Sequence, residues 1–197
     1  MIEFASVIFL TLGTVVVLFL IGRKAELILR RIESFLTYLS AAIILFVMTY
    51  VLAEVLMRYA FNSPLPGHLE GAELLLPMIV FLAVSYTQAR NGHVGMSLLI
   101  DLLPADTRRI TDICTLALSA LTCAVLAYFG AKQALFSWQI DDVTMTPPYW
   151  PIWPSAAVVP MGYLFLTIRM SLQALQRAVP DKFPEPLGDD PESTSVV

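Results

Sequence analysis

Residues 35–57 read FLTYLSAAIILFVMTYVLAEVLM, a stretch whose single charge is Glu54. The hydrocarbon core of a bilayer is roughly 30 Å thick, and about 20 apolar residues of helix cross it. This stretch therefore reads as a transmembrane helix. Working outward, four more stretches meet the same test: 2–21, 74–87, 110–136 and 152–175. The stretch 74–87 is short, but Gly71 and Ala72 extend it and Glu73 can sit at the interface. Pro77 falls in its first turns, where the missing N–H costs least.

Composition agrees with this reading. The 197 residues are 57% hydrophobic and 14% charged, against roughly 45–50% and about 25% in soluble domains. Within 180–197, five acids (Asp181, Glu185, Asp189, Asp190 and Glu192) face only Lys182, so this tail holds the whole formal charge of −4. Upstream, 11 acids balance 11 bases, which leaves no footprint for nucleic acid. The expected fold is all-α, a polytopic helical membrane protein. Cys114 and Cys123, nine residues apart on one helix, point to opposite faces about 13 Å apart along the axis, too far to bridge.

An apolar N-terminus can be a signal peptide. Here Met1-Ile2-Glu3 carries no Lys or Arg and the apolar run exceeds an h-region of about 7–15 residues, so a retained helix is expected. Orientation follows from the loops. Arg23, Lys24, Arg30, Arg31, Arg90, Arg108, Arg109, Arg169, Arg177 and Lys182 fall on one side, and Arg58 and Lys132 on the other. That bias places the N-terminus outside, the acidic tail in the cytoplasm, and the loops 58–72 and 137–151 outside.

Two cytoplasmic segments read as interfacial. In 23–35, Ala25, Ile28, Leu29, Ile32 and Phe35 keep 3–4 spacing, with Arg23, Lys24, Glu26, Arg30, Arg31 and Glu33 on the other side. Such a helix can lie in the headgroup plane with Arg23, Lys24, Arg30 and Arg31 on anionic lipid; the alternative is that it prolongs a neighbouring span. The apolar run 94–103 is too short to cross and suggests a second short helix. On the outside, Trp150 and Trp153 stand with Trp138 and Tyr149 among five prolines in 143–160. An aromatic belt at headgroup level accounts for them.

The inventory does not support an enzyme. The two histidines, His68 and His93, are expected on opposite sides of the membrane, so they cannot share a metal or haem. No nucleophile elbow, zinc-protease motif or phosphate-cradling loop occurs, and no cofactor is expected. Charges near the spans mark the places to look for function. Glu54 and Arg58 stand at i, i+4, so an intrahelical pair is natural. Glu70 and Glu73 open the next span, where the helix dipole favours a carboxylate. Lys132 and Arg169 lie near span ends and are expected to snorkel. The span centres are Leu, Ile, Val, Ala and Phe, with Ser40, Thr49, Ser85, Ser119 and Thr122 as the main polar exceptions, small hydroxyls that can serve helix association. Discontinuous helices and midplane polar groups, the usual signs of a carrier, do not appear. The body reads as a partner subunit or scaffold.

At Arg58-Tyr59-Ala60-Phe61-Asn62-Ser63-Pro64-Leu65-Pro66, followed by Glu70, the sequence resembles the small membrane subunit of tripartite ATP-independent periplasmic (TRAP) transporters. The later family elements are matched by Arg90, His93, Leu103-Pro104 and Arg108-Arg109, and by Pro160-Met161-Gly162 in the last span. The likeness covers about 31–177. Gly67 stands where the family pattern has Trp, and the family core has four spans, so 2–21 is an extra helix.

The residues and the resemblance together imply an organisation: an extra N-terminal transmembrane helix (1–22), an amphipathic interfacial helix (23–35), a four-helix core (36–178) and an acidic, disordered tail (179–197). It also implies a role. In the family a large membrane subunit of about twelve spans carries the substrate and sodium sites and moves them like an elevator, while a periplasmic binding protein delivers an organic anion. The small subunit braces the immobile scaffold. On that basis Arg58, Tyr59, Asn62, Glu70 and Glu73 are expected at the outer contact with the partner, and Arg90 and His93 at the inner one. The rival expectations are a stand-alone oligomeric channel or carrier, and a membrane anchor of another complex.

Overall fold

The computed structural model describes residues 13, 23–63, 65–90 and 105–178. They form four helices: α1 (Arg23–Phe61), α2 (His68–Ala89), α3 (Ala105–Gln139) and α4 (Trp153–Ala178). All four are long and apolar enough to cross a membrane. No strand occurs among the described residues; an isolated bridge pairs Val143 with Pro151. The span expected over 2–21 (Gly13 apart), the segment 94–103, His93 and the tail lie outside the described residues.

At 1.5 Å per residue α1 is about 58 Å long and α3 about 52 Å, more than a 30 Å core requires. The segment 23–35 is not a separate helix but the first turns of α1, unbroken into the span. Its faces also differ from expectation. Ile28, Ile32 and Phe35 are exposed, whereas Glu26 and Glu33 are buried, Glu33 at 1% exposure. The reason is continuity: Glu26, Glu33, Ser40 and Glu54, all buried, stand at multiples of seven residues along one face of α1. Tyr38, Leu45, Phe46, Met48 and Leu52 point outward and are exposed. In water this distribution would be inverted. In hydrocarbon it is required, because a polar side chain facing lipid is costly and an apolar one is not.

The chain divides into two compact units. The first holds the described residues of 1–31, 85–125 and 165–197. Its apolar centre is Leu172, fully buried, against Leu29, with Phe165, Ile168 and Leu175 around them. Beside this lie polar ties. Gln176 Nε2–H donates to Glu26 Oε2 at 3.2 Å, and Glu26 pairs with Arg30 one turn on. Arg109, at the start of α3, donates Nε–H to the Arg177 carbonyl at 2.9 Å and Nη2–H to that of Ala178 at 3.2 Å. Those carbonyls belong to the last turn of α4, which has no intrahelical donors for them. Arg177 returns the tie to Asp112 at 3.3 Å, an acid in the early turns of α3. Arg169, expected to snorkel, is instead buried at 2% exposure. It sits nine residues before the end of α4, too far inside for its stem to reach that end.

The second unit holds 32–84 and 126–164. Close approach governs its packing. Ser40 Oγ–H donates to the Ile79 carbonyl at 2.6 Å. Gly162 lies so close to Phe81 that an added Cβ would meet the Phe81 Cβ at 2.6 Å and its carbonyl oxygen at 2.7 Å. On this part of α3, Ala127, Ala134 and Ser137 are buried at steps of seven and three residues, a stripe of small residues of the kind that lets membrane helices approach.

Candidate functional site

The residues expected at the outer contact lie at one end of the second unit, where α1 stops, α2 starts and the loop 140–152 joins α3 to α4. The stop has a local cause. Asn62 follows the last residue of α1 in the left-handed region, φ 50°, which Asn tolerates better than most side chains. The turn lets the Ser63 N–H reach back to the Met57 carbonyl at 3.2 Å, satisfying one acceptor that the helix end leaves open.

One turn earlier, Arg58 holds Glu54 as expected. Its Nε–H donates to Glu54 Oε1 at 2.9 Å and Nη2 lies 2.5 Å from the same oxygen. The two ends of the pair differ: the Glu54 carboxylate is buried, while about half of the Arg58 side chain is exposed. His68, first residue of α2, hydrogen-bonds through Nδ1 with the Leu65 carbonyl at 3.1 Å, and that nitrogen is 3.8 Å from Glu54 Oε1. Tyr59 is 82% exposed. Asn62 and Glu73 are exposed as well.

Glu70 is placed differently from a residue that caps its own helix: its Oε1 accepts the backbone N–H of Thr146, in the loop beyond α3, at 3.1 Å. That loop is internally tied. Thr144 N–H donates to the Trp150 carbonyl at 3.0 Å, Trp150 N–H to Thr144 Oγ1 at 2.9 Å, and Tyr149 N–H to the Thr146 carbonyl at 3.0 Å. The loop presses on two glycines, one just before α2 and one in its first turn. At Gly67, φ 72°, an added Cβ would lie 2.5 Å from Pro148 Cδ and 3.0 Å from the Pro147 carbonyl. At Gly71, Trp150 and Tyr50 lie 3.6–3.8 Å from where a Cβ would stand. Trp at position 67, the residue of the family pattern, could not coexist with this loop conformation.

Arg90 is elsewhere, in the first unit, with its guanidinium 5.5 Å from the centre of the Tyr86 ring. Arg30 is committed to Glu26 and Arg31 is exposed. Of Arg23 and Lys24 the structure describes only the backbone, in the first turn of α1. Trp150 and Trp153 are both partly exposed. Among the described residues no group of three or more His, Cys, Asp and Glu could hold a metal ion.

Three contributors escape sequence reasoning. Thr146 acts through its backbone, which no side-chain pattern reports. Gly67 and Gly71 act by what they lack. Gln88, Gln173 and Gln176, buried in the first unit, did carry a signal: uncharged but strongly polar groups at the ends of apolar spans, two of them one turn apart on α4.

Comparison with known proteins bears on all of this. Residues 47–179 match the family described as tripartite ATP-independent periplasmic transporters, DctQ component, which is more than half of the chain. The ectoine TRAP transporter small permease protein TeaB of Halomonas elongata is 27% identical over 154 residues, covering 76% of this chain and 79% of that protein. The C4-dicarboxylate TRAP transporter small permease protein DctQ of Vibrio cholerae is 30% identical over 98 residues, 50% of this chain and 39% of that protein.

Proposed function

The chain belongs to the DctQ family of TRAP transporter components, and from that premise we propose that it is the non-catalytic small membrane subunit of a sodium-coupled TRAP transporter. It braces the scaffold of a large elevator-type membrane subunit of about twelve spans, for uptake of an organic acid anion delivered by a periplasmic binding protein. The protein resides in the bacterial inner membrane with the N-terminus in the periplasm and the C-terminus in the cytoplasm, an orientation supported by the ten-to-two distribution of Lys and Arg.

The observation that carries the reading is the inside-out body, part of which lies within the family match at 47–179. Along α1, Glu26, Glu33, Ser40 and Glu54 turn inward, Gln88 and Gln173 are tied to each other, and the small residues of α3 are used up in internal packing. What remains on the outside is a broad apolar surface on α1 (Tyr38, Leu45, Met48, Leu52 and Tyr59, all exposed), suited to lie along another membrane protein. Arg58, Tyr59, Asn62, Glu70 and Glu73 mark the end that meets the partner on the periplasmic side, and Arg90 with His93 the cytoplasmic side. Arg31 faces lipid headgroups there, as do Trp150 and Trp153 on the opposite surface.

The test is co-purification and transport. Tagged wild-type chain should bring down a large polytopic membrane protein from native membranes and give no uptake when reconstituted alone in liposomes. Arg58→Ala combined with Tyr59→Ala should weaken recovery of the partner. Transport by the purified chain alone would overturn the proposal in favour of a stand-alone carrier.

A further inference from the structure

Gly67, Glu70 and Gly71 stand at i, i+3 and i+4, one face of the start of α2, and all three meet the same loop. Gly67 leaves room for Pro148, which an added Cβ would strike at 2.5 Å. Gly71 leaves room for the Trp150 ring. Between them Glu70 accepts the N–H of Thr146 at 3.1 Å, and that N–H lies at the tip of the loop. The stretch 143–151 carries no charged residue, so what the loop takes from Glu70 is a hydrogen-bond acceptor, not an opposite charge. With its own bonds from Thr144 to Trp150 in both directions, the loop is held in one shape that presents Met145, 95% exposed, and Tyr149 on its free side.

We infer that Glu70 is a positioning residue: its carboxylate straps the loop 143–151 onto the first turn of α2, and it influences the assembly through the shape of that loop instead of by meeting a charge on a partner. The influence on assembly rests on the function proposed above; the strap itself does not.

A charge-neutral variant that keeps the acceptor separates the two roles. In the full chain, co-expressed with the large membrane subunit and held in lipid nanodiscs, amide hydrogen exchange over 143–151 is followed together with recovery of the partner. Glu70→Ala should speed exchange at Thr146 on the order of tenfold, as expected for loss of a bond to a charged acceptor, and should lower partner recovery. Glu70→Gln, whose amide oxygen still accepts, should leave both near wild type. Gly67→Ala, which keeps the carboxylate but pushes the loop away, should behave like Glu70→Ala. Unchanged exchange in Glu70→Ala would overturn the strap. Loss of partner in Glu70→Gln with an undisturbed loop would overturn the positioning role and assign Glu70 to direct charge contact. If wild type itself recovers no partner, the subunit assignment is what fails, and the exchange measurement still decides the strap.

Discussion

Gln88 and Gln173 hold each other reciprocally inside the first unit. Gln88 Nε2–H donates to Gln173 Oε1 at 2.8 Å, and Gln173 Nε2–H donates to the Gln88 backbone carbonyl at 3.1 Å. Both side chains are buried, so truncating one leaves the other with a polar group that water cannot serve. Leaving a buried donor or acceptor unmade costs about 1–3 kcal/mol, more than the net worth of a typical hydrogen bond. Gln88→Leu and Gln173→Leu are therefore each expected to lower stability by at least about 1 kcal/mol. The double variant should lose less than the sum of the two, as read from unfolding midpoints in a common detergent.

Two glycines of the second unit make a matched comparison. A Cβ at Gly162 would collide with the Cβ and carbonyl oxygen of Phe81, whereas a Cβ at Gly130 would rest 3.4 Å from the Pro160 Cβ, close to ordinary contact. Gly162→Ala should destabilise by about 1–3 kcal/mol, the usual range for overpacking. Gly130→Ala should be close to neutral. Since part of the Gly162 clash is with backbone, shortening Phe81 to Ala should relieve it incompletely.

The two left-handed residues flanking the α1–α2 connection should respond in opposite ways to loss and gain of a side chain. Asn62→Gly keeps φ 50° accessible and should change the melting temperature little. At Gly67, alanine at φ 72° costs about 1–2 kcal/mol from the left-handed conformation alone, before the contact with Pro148. Thermal unfolding of the two variants side by side checks this.

The Glu54–Arg58 pair is asymmetric, and so should be its mutational response. Glu54 is 3% exposed, so Arg58→Ala leaves a carboxylate in a place that disfavours charge. The penalty for breaking a buried pair is about 3–5 kcal/mol; with Arg58 half in solvent, about 2 kcal/mol is expected. Glu54→Gln releases an arginine that water can still reach and should cost less. A Glu54→Gln, Arg58→Ala double variant that is more stable than Arg58→Ala alone would be the signature, measured as unfolding free energy in one lipid or detergent composition.

How much of this was legible in advance differs by element. The four described spans follow from hydropathy because the bilayer acts on each helix separately: hydrocarbon thickness sets length, and every backbone polar group must be satisfied inside its own segment. The Glu54–Arg58 pair was legible for the same reason, since i, i+4 geometry is local. The segment 23–35 shows where such reasoning stops. Its alternation of apolar and charged residues is real, but whether the acids face water or the interior depends on what packs against them. With Leu29 against Leu172 and Glu26 bonded to Gln176, that side is the inside. Arg169 carries the same lesson, since nearness to the end of a predicted span said nothing about whether α4 continues or whether its last turns are buried.

What the sequence determined by itself is therefore the set of properties that each stretch of chain settles alone with the membrane: the four described helices that are apolar enough to cross, the Glu54–Arg58 pair, and the run of residues that marks the family. Tertiary structure alone decided the properties that need two distant stretches at once. Glu70 reads from sequence as a carboxylate at the start of a helix, and becomes a strap because residue 146, 76 positions later, brings a backbone N–H to it. Gly67 reads as a departure from the family pattern and Gly71 as an extension of the next span, and they become the seat of a loop because Pro148 and Trp150 fill the space they leave. Hydrophobic burial in the bilayer is a one-body interaction between residue and solvent, which a linear pattern encodes; hydrogen bonds and steric fit are pairwise, and their partners are known only once the chain has folded.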